Sequence, residues 1–362
     1  MSVLFLPSAA GRVHLTRLVL VARALRERGE RAVFAYGGEH GALLDADGFE
    51  RLPVADVGAD VDPRGDVFAE YGSELVSQAV TDTVAAVGEV GATALVFGLH
   101  PAGAIAARVA GVPCASVTTA DLTPEFDIAG VFGRGEGTAR LLRPLVALQA
   151  RSAARALRRV ARAHRLPDLR SVFDFQRGDA TLLADVEEWA PVRDPAPGTR
   201  YVGPLIWEDE EGPPPAAPEG GTLIHLRLPE GGDERLLEVA QEAFGAAGSG
   251  FRLLVSGGGA AARASALVIH CGEREATYQA LAARRPVIVV PDGAAGRIEA
   301  RLVTRHRVGA AFEPDRLDPA RLRDAADRIL ATPGYTVAAD HFARLIATTD
   351  GPRAATEAVA SL

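Results

Sequence analysis

The sequence has few of the residues that build several common kinds of protein. Only two of its 362 residues are cysteine, Cys114 and Cys271, and each falls at the end of a predicted strand. Two such cysteines exclude a disulfide framework and favour a reducing, cytoplasmic environment. Cysteine and histidine nowhere cluster with the spacing of zinc ligands, so the sequence predicts no metal site.

Long apolar runs and excess positive charge are lacking as well. No segment stays apolar over the ~20 residues that a membrane-spanning helix needs, and the apolar N-terminal run is too short for a signal peptide. The formal net charge is −8 and the isoelectric point is about 5.6. We therefore expect neither nucleic acid nor a membrane among the partners of this protein.

One exception to the acidic character is the segment 139–165. It contains eight arginines, interleaved with alanine and leucine. A basic helix can bind phosphate or an acidic membrane, but such helices are more often solvated faces whose charges pair locally. The interleaved apolar residues favour the solvated face.

What is present is the pattern of an α/β protein, long enough for two domains of ordinary size. The segment 267–292 shows this pattern best: an apolar run ends at His270, a helical pattern follows, and a second apolar run ends at Pro291. Apolar runs joined by a short helix are typical of buried parallel strands. Ligands of such sheets bind at the turn after the first strand, because helix amides converge there.

Motifs in both halves resemble those of GT-B glycosyltransferases that use nucleotide sugars, the group that includes plant and macrolide-type UDP-glycosyltransferases. The matching motifs are His14-Leu15-Thr16-Arg17, Ala22-Arg23-Ala24-Leu25-Arg26, Ala110-Gly111-Val112-Pro113, the interdomain motif Tyr201-Val202-Gly203-Pro204-Leu205-Ile206-Trp207, His270-Cys271-Gly272, Gln279-Ala280-Leu281, Pro286 and Pro291. The resemblance implies a GT-B fold, in which two Rossmann-like, doubly wound parallel-sheet α/β domains face each other across a cleft.

Domain boundaries follow from composition and from the resemblance. Residues 194–221 are rich in proline, glycine and acidic residues, which is typical of a linker. We predict an acceptor-binding domain at 1–205, a linker at 206–221 and a donor-type domain at 222–337. The resemblance implies that C-terminal helices at 338–362 cross back to the first domain.

Three residues at predicted strand ends of the first half are candidates for acid–base catalysis. His14 is predicted on the loop after the first strand, and the resemblance implies that it is the general base; its imidazole titrates near neutrality, which suits that role. Many relatives orient this base with an aspartate after the fourth strand, where this chain has Gly98. His100 and Asp121, on neighbouring strand-end loops, are candidates to replace that aspartate, although each is also typical of a surface or packing residue.

Eight residues of the second half are candidates for binding a nucleotide diphosphate. A guanidinium and glycine-rich backbone after the first strand of this half can hold phosphate. The resemblance implies that the histidine ending the third strand contacts phosphate at a helix N-terminus, and the acidic candidate could contact sugar hydroxyls or cap a helix. The candidates are Arg227, Gly231, Gly232, His270, Gly272, Arg274, Thr277 and Asp292.

The second half also departs from the family pattern. Glu273 and Glu275 occupy the turn that holds small residues in relatives, and their charges would repel a diphosphate. Ala295 and Gly296 stand where an acidic–glutamine pair is expected. The short interval 257–266 replaces a longer segment that stacks on the nucleotide base in relatives.

Two hypotheses of function follow. The first is a cytoplasmic glycosyltransferase of bacterial specialised metabolism that transfers a sugar from a nucleotide diphosphate donor to a small-molecule acceptor, with His14 as general base. The alternative is a repurposed or pseudo-glycosyltransferase that no longer uses an ordinary nucleotide sugar, and that acts as a helper protein or performs other acid–base chemistry. No resident cofactor is expected, since a nucleotide sugar would be a co-substrate; a homodimer or a partner transferase are the candidate protein partners.

Overall fold

The computed structural model describes residues 1–55, 57, 71–132, 136–166, 169–208, 221–246 and 250–362. They form two compact units. Unit 1 is Met1–Leu205 with Asp350–Leu362, and unit 2 is Ile206–Thr349. Residues 209–220 of the predicted linker lie outside the described residues. This division returns the chain to unit 1 at residue 350, later than the predicted crossing at 338.

Unit 1 contains a seven-stranded sheet in which neighbouring strands are parallel. Its strands are β1 (Ser2–Pro7), β2 (Arg31–Ala35), β3 (Glu50–Leu52), β4 (Ala94–Gly98), β5 (Cys114–Thr118), β6 (Ala180–Leu183) and β7 (Thr199–Tyr201). They lie in the order β3-β2-β1-β4-β5-β6-β7, so the order reverses between β1 and β4. Ligands of doubly wound sheets bind beyond the carboxyl ends of the strands at such a reversal.

Helices connect these strands and cover the sheet. They are α1 (Arg12–Glu27), α2 (Ala42–Ala46), α3 (Ser73–Val90), α4 (Gly103–Ala110), α5 (Ile128–Phe132), α6 (Glu136–Ala153), α7 (Arg155–Ala163) and α8 (Val172–Phe175). The C-terminal helix Gly351–Val359 also belongs to unit 1, where the Thr356 hydroxyl donates to the Val21 carbonyl of α1 at 3.3 Å. Burial of both faces explains why the central strands are almost entirely apolar.

Unit 2 contains a five-stranded parallel sheet. Its strands are β8 (Thr222–Leu226), β9 (Phe251–Val255), β10 (Leu267–His270), β11 (Val287–Val289) and β12 (Gly309–Ala311), and its helices are α9 (Glu234–Phe244), α10 (Gly259–Ala264), α11 (Arg274–Ala282), α12 (Ala294–Arg305), α13 (Pro319–Ala331) and α14 (Pro333–Ala347). The strand order is β12-β11-β10-β8-β9, which reverses between β8 and β10.

The helices of unit 2 begin where local sequence stabilises their first turn. The Asp233 carboxylate accepts the Leu236 N–H at 2.9 Å before α9, and the Asp318 carboxylate accepts the Arg321 N–H at 2.9 Å before α13. Such N-caps satisfy amides that have no partner inside the helix. The prediction of two α/β domains with parallel sheets is confirmed. Among the described residues, no helix is both long and apolar enough to cross a membrane.

Candidate active site

His14 lies in the first turn of α1, directly beyond the carboxyl end of β1. The prediction that it lies on the loop before the helix is wrong, because α1 already begins at Arg12, and the His14 N–H donates to the Gly11 carbonyl at 3.2 Å. His14 is half-buried. This position places it at the reversal of strand order in unit 1, where ligands of such sheets bind.

The protonation of His14 is governed by its surroundings. Burial, and secondarily the positive charge of Arg17 one turn further along α1, lower the pKa of His14 to about 3. The imidazole is therefore neutral at physiological pH and able to accept a proton, but it is a weak base.

Gly98 ends β4, and His100 lies in the loop that follows it, next to the loop after β1. The Ser8 N–H donates to the Gly98 carbonyl at 2.9 Å, which joins the ends of these two strands. His100 is buried, its Nδ1 accepts the Ala102 N–H at 3.3 Å, and burial lowers its pKa to about 3. The ring is thus a neutral group engaged by its own loop. A role in orienting His14 stays a prediction.

Two buried carboxylates follow β5 and β6. Asp121 lies in the short 3-10 helix Ala120–Leu122, and Asp185 is completely buried two residues beyond β6. The Asp185 Oδ2 accepts the Ala120 N–H at 2.7 Å, so Asp185 fixes the loop that carries Asp121. Asp185 is absent from the sequence-based candidates, although an acidic residue directly after a predicted strand is a signal that could have identified it.

The predicted catalytic residues therefore share one edge of unit 1. His14, His100 and Asp121 follow β1, β4 and β5, which are adjacent strands of the sheet. The topology brings these three loops together even though the residues are up to about a hundred positions apart in sequence.

In unit 2, Arg227 follows β8 and is half-buried. Its guanidinium donates to the Oε1 of Gln279 on α11. The Gln279 amide in turn donates to the Trp207 carbonyl at 2.8 Å and to the Glu275 carboxylate at 3.3 Å. Arg227 is thereby held against α11 while part of it remains open to solvent, so an anion can still reach it.

Gly231 and Gly232 form the turn before α9. Their φ angles are +88° and +78°, a backbone conformation that side chains disfavour. A Cβ at either position would meet nothing within 4 Å. The backbone of this turn is therefore open to a ligand of unit 2.

His270 ends β10 and is completely buried. Its Nδ1 lies 3.1 Å from the Gly272 N–H, which donates to it, and its Nε2 lies 3.3 Å from the Thr277 hydroxyl. Both ring nitrogens thus bind the turn and first helical residues that follow β10. The phosphate contact that the resemblance implies for His270 and Thr277 stays a prediction, and it requires these hydrogen bonds to be exchanged.

Arg274, a candidate for diphosphate binding, forms an ion pair with Glu299 on α12. Only 9% of the Arg274 side chain and 1% of the Glu299 side chain are exposed. The Glu299 Oε1 is buried and has no hydrogen-bond partner among the described residues. Arg274 therefore neutralises a buried carboxylate of its own unit, and the sequence-based assignment to phosphate stays a prediction.

The turn after β10 packs tightly against the start of α12. Gly272 has φ +102°, and a Cβ there would lie 2.4 Å from the Gly296 Cα; a Cβ on Gly296 would lie 2.7 Å from the Cys271 carbonyl oxygen. The Asp292 N–H donates to the same carbonyl at 3.3 Å. This close approach gives a physical reason why glycine occupies position 296, where the family pattern has a larger polar residue.

The interval before β10 is short and apolar. It contains α10, whose alanines Ala260, Ala261 and Ala262 are buried. Buried His225 of β8 lies nearby, with Nε2 3.0 Å from the Ser256 carbonyl, and burial is the first cause that lowers its pKa to about 4. The described residues contain no group of three or more metal-ligating side chains placed to hold an ion.

The curated relatives that this chain resembles are named glycosyltransferases. No protein-family model matches the chain. A curated relative, a PGL/p-HBAD biosynthesis glycosyltransferase of Mycobacterium tuberculosis (strain ATCC 25177 / H37Ra), is 26% identical over 382 residues, which cover 94% of this chain and 87% of the relative. A protein of Mycobacterium bovis (strain BCG / Pasteur 1173P2) named an inactive PGL/p-HBAD biosynthesis glycosyltransferase is 27% identical over 67% of this chain and 70% of its own.

Solved structures show the same fold. The calicheamicin glycosyltransferase CalG4 matches with a TM-score of 0.77 and 15% identity, covering 100% of this chain and 98% of its own. The spinosyn rhamnosyltransferase SpnG, solved with thymidine diphosphate, matches with a TM-score of 0.68 and 15% identity over 99% of both chains. The chain therefore has the GT-B fold, and the predicted resemblance to GT-B glycosyltransferases is confirmed.

Proposed function

We propose that this GT-B protein is a glycosyltransferase that moves a sugar from a nucleoside diphosphate to a hydroxyl of a small-molecule acceptor, with His14 as general base. The observation that carries the proposal is the position of His14, a neutral and half-buried imidazole at the reversal of strand order in unit 1. The names of the relatives support the reaction type, and the thymidine diphosphate complex of a similar structure supports the donor class.

In the proposed reaction the acceptor oxygen attacks the anomeric carbon of the donor. The bond between that carbon and the diphosphate oxygen breaks, the acceptor proton moves to the His14 imidazole, and the diphosphate leaves. Because the pKa of His14 is about 3, full deprotonation before attack is unfavourable. We expect proton transfer to accompany formation of the new bond, when the acceptor oxygen has become acidic.

The leaving diphosphate would bind the part of unit 2 that remains accessible. The half-buried Arg227 supplies positive charge, and the open turn at Gly231 and Gly232 offers backbone amides, of which the Gly232 N–H would first have to leave the Pro229 carbonyl, to which it donates at 2.9 Å. Arg274 contributes to diphosphate binding only if its ion pair with Glu299 breaks.

The experiment is a donor-hydrolysis and transfer assay with TDP-, UDP- and GDP-sugars against a panel of phenols and aliphatic alcohols. We expect His14→Ala and His14→Gln to lower turnover on the order of 100-fold or more, as removal of a general base does. His164→Ala, which removes an exposed histidine of the same unit, is the matched control and should keep full turnover. Unchanged turnover in both His14 variants would refute the base assignment.

A second candidate function is a GT-B protein that does not use an ordinary nucleotide sugar. The buried Arg274–Glu299 pair, which occupies the guanidinium of the phosphate turn, favours it, and one relative carries the word "inactive" in its name. Calorimetry with TDP, UDP and GDP separates the two functions. Binding that Arg227→Ala weakens supports glycosyl transfer, whereas no binding at millimolar nucleotide by the folded protein supports the second function.

A further inference from the structure

Three leucines of α6 are exposed along one side of the helix. The exposed fractions are 74% for Leu141, 60% for Leu145 and 65% for Leu148. Their spacing of four and three positions places them on the same side of the helix, here called the leucine face. Near the C-terminal end of α6 the opposite side is covered, because Ala150 and Ala153 are buried.

An arginine-rich surface adjoins the leucine face. Arg151 follows Leu148 by three positions and is therefore its neighbour on the helix surface. At the junction with α7, the Arg155 Nη2 donates to the Ser152 hydroxyl at 2.9 Å. Ser152 follows Leu145 and Leu148 by seven and four positions, so this contact holds the Arg155 guanidinium beside the leucine face.

The arginine surface continues along α7. Arg155, Arg159 and Arg162 are exposed at spacings of four and three positions, which places them on one side of α7. Together with Arg151 they are here called the arginine band. Segment 136–166 carries eight arginines, one glutamate and no aspartate in a protein of net charge −8. Positive charge is thus concentrated in a chain that is otherwise acidic.

Among the described residues, no carboxylate forms an ion pair with the arginine band. In this part of unit 1, the ion pairs of described residues join Arg143 and Arg193 to Asp127, and Arg177 to Glu125. None of them includes a member of the band. Exposed leucines scattered singly are ordinary on protein surfaces, but three on one helix face mark an interaction surface.

We propose that the leucine face and the arginine band dock unit 1 on the surface of an anionic lipid bilayer. A helix with leucines on one face and arginines beside it lies in the bilayer interface, where the leucines enter the acyl boundary and the arginines meet lipid phosphates. The sequence alone favours a solvated face with locally paired charges. The outward leucines, and the lack of carboxylate partners within the described part of the chain, favour the lipid surface instead. The proposal is independent of the glycosyl transfer proposed above.

The test is flotation of the full chain with vesicles of phosphatidylcholine alone or with about 30% phosphatidylglycerol, without any nucleotide or acceptor. We expect binding to the anionic vesicles only. Leu141→Ser/Leu145→Ser/Leu148→Ser should lower the partition coefficient on the order of tenfold or more. The variant Arg155→Gln/Arg159→Gln/Arg162→Gln should lower it on the order of 100-fold, since each arginine near the surface contributes about fivefold.

Matched controls use exposed residues of unit 2. Val337→Ser removes an apolar residue of 65% exposure, and Arg297→Gln/Arg301→Gln/Arg305→Gln removes three exposed arginines from one face of α12. Both should bind vesicles like the wild type, and circular dichroism checks that every variant is folded. Absence of wild-type binding, or equal loss in the α12 control, would overturn the proposal. A dimer in light scattering that disappears in the leucine variant, without vesicle binding, would assign the face to a second copy of the chain.

Discussion

Replacing Glu299 by glutamine distinguishes a structural role of Arg274 from a ligand-binding one. Only 1% of the Glu299 side chain and 9% of the Arg274 side chain are exposed, so water cannot compensate a lost charge. Removing one partner of a buried ion pair destabilises a protein by about 3–5 kcal/mol. Because the glutamine amide can still accept one hydrogen bond, we expect Glu299→Gln to lie near the low end, at about 3 kcal/mol.

Urea unfolding of unit 2 measures this change. Trp207 is buried in unit 2 and Trp189 in unit 1, and the sequence has only these two tryptophans. In a Trp189→Phe background, Trp207 fluorescence therefore reports on unit 2. The control is Asp327→Asn on α13 of unit 2, whose carboxylate is 58% exposed and pairs with Arg323; an exposed pair contributes at most about 1 kcal/mol.

The double variant Arg274→Met/Glu299→Met tests the removal of both charges together. Apolar replacement of both partners is often neutral or stabilising, so we expect a stability within about 1 kcal/mol of the parent. A Glu299→Gln loss below about 1 kcal/mol, or a double variant as unstable as the single one, would refute the reasoning. If the released Arg274 reaches a diphosphate, Glu299→Gln also binds thymidine diphosphate on the order of tenfold more tightly, a difference of about 1.4 kcal/mol.

Three further predictions concern buried groups. His100 has a pKa of about 3 in the folded protein against 6.5 in the unfolded chain. Between these two pH values the unfolded state binds more protons, so the free energy of unfolding falls by about 1.4 kcal/mol per pH unit below pH 6.5. Urea titrations should show that His100→Gln reduces this slope. Gly272→Ala should destabilise unit 2 by about 2–4 kcal/mol, because its Cβ would collide with Gly296 at an unfavourable positive φ; thermal unfolding within about 0.5 kcal/mol of the parent would contradict the packing. Burial raises the pKa of Cys114 to about 11, and Cys271 is buried too. A thiol reagent at pH 8 should therefore label neither cysteine in the native protein and both cysteines in urea. Fast labelling of the native protein would contradict this burial.

The strands could be predicted because the signal for a strand, a short apolar run, is local. The apolar run Val3–Leu6 is completely buried, as a central parallel strand requires. The predicted start of α1 is wrong for an equally local reason. Gly11 precedes α1 and no side chain caps its first turn, so the usual Ser, Thr, Asp or Asn signal of a helix start is missing. The sequence therefore predicts His14 in the preceding loop.

Pairings between distant side chains could not be predicted in this way. Arg274 and Glu299 are separated by strand β11, and their contact depends on how α11 and α12 pack beside the sheet. The same holds for Arg227 and Gln279, which are 52 positions apart. Spacing in sequence carries no signal for such pairs, because the helix rotation that aligns them is set by the packed core.

The sequence by itself determined that this protein has two parallel-sheet α/β halves and that a histidine follows its first strand, because hydrophobic periodicity and short motifs are local properties of the chain. The tertiary structure alone decided which charges are satisfied internally. It turned Arg274 toward Glu299 and placed the two ring nitrogens of His270 against the Gly272 N–H and the Thr277 hydroxyl. It also left three leucines of α6 facing solvent, beside arginines that have no carboxylate partner among the residues the structure describes. These outcomes depend on which surfaces the folded core buries, and burial is a property of the packed units rather than of any single segment.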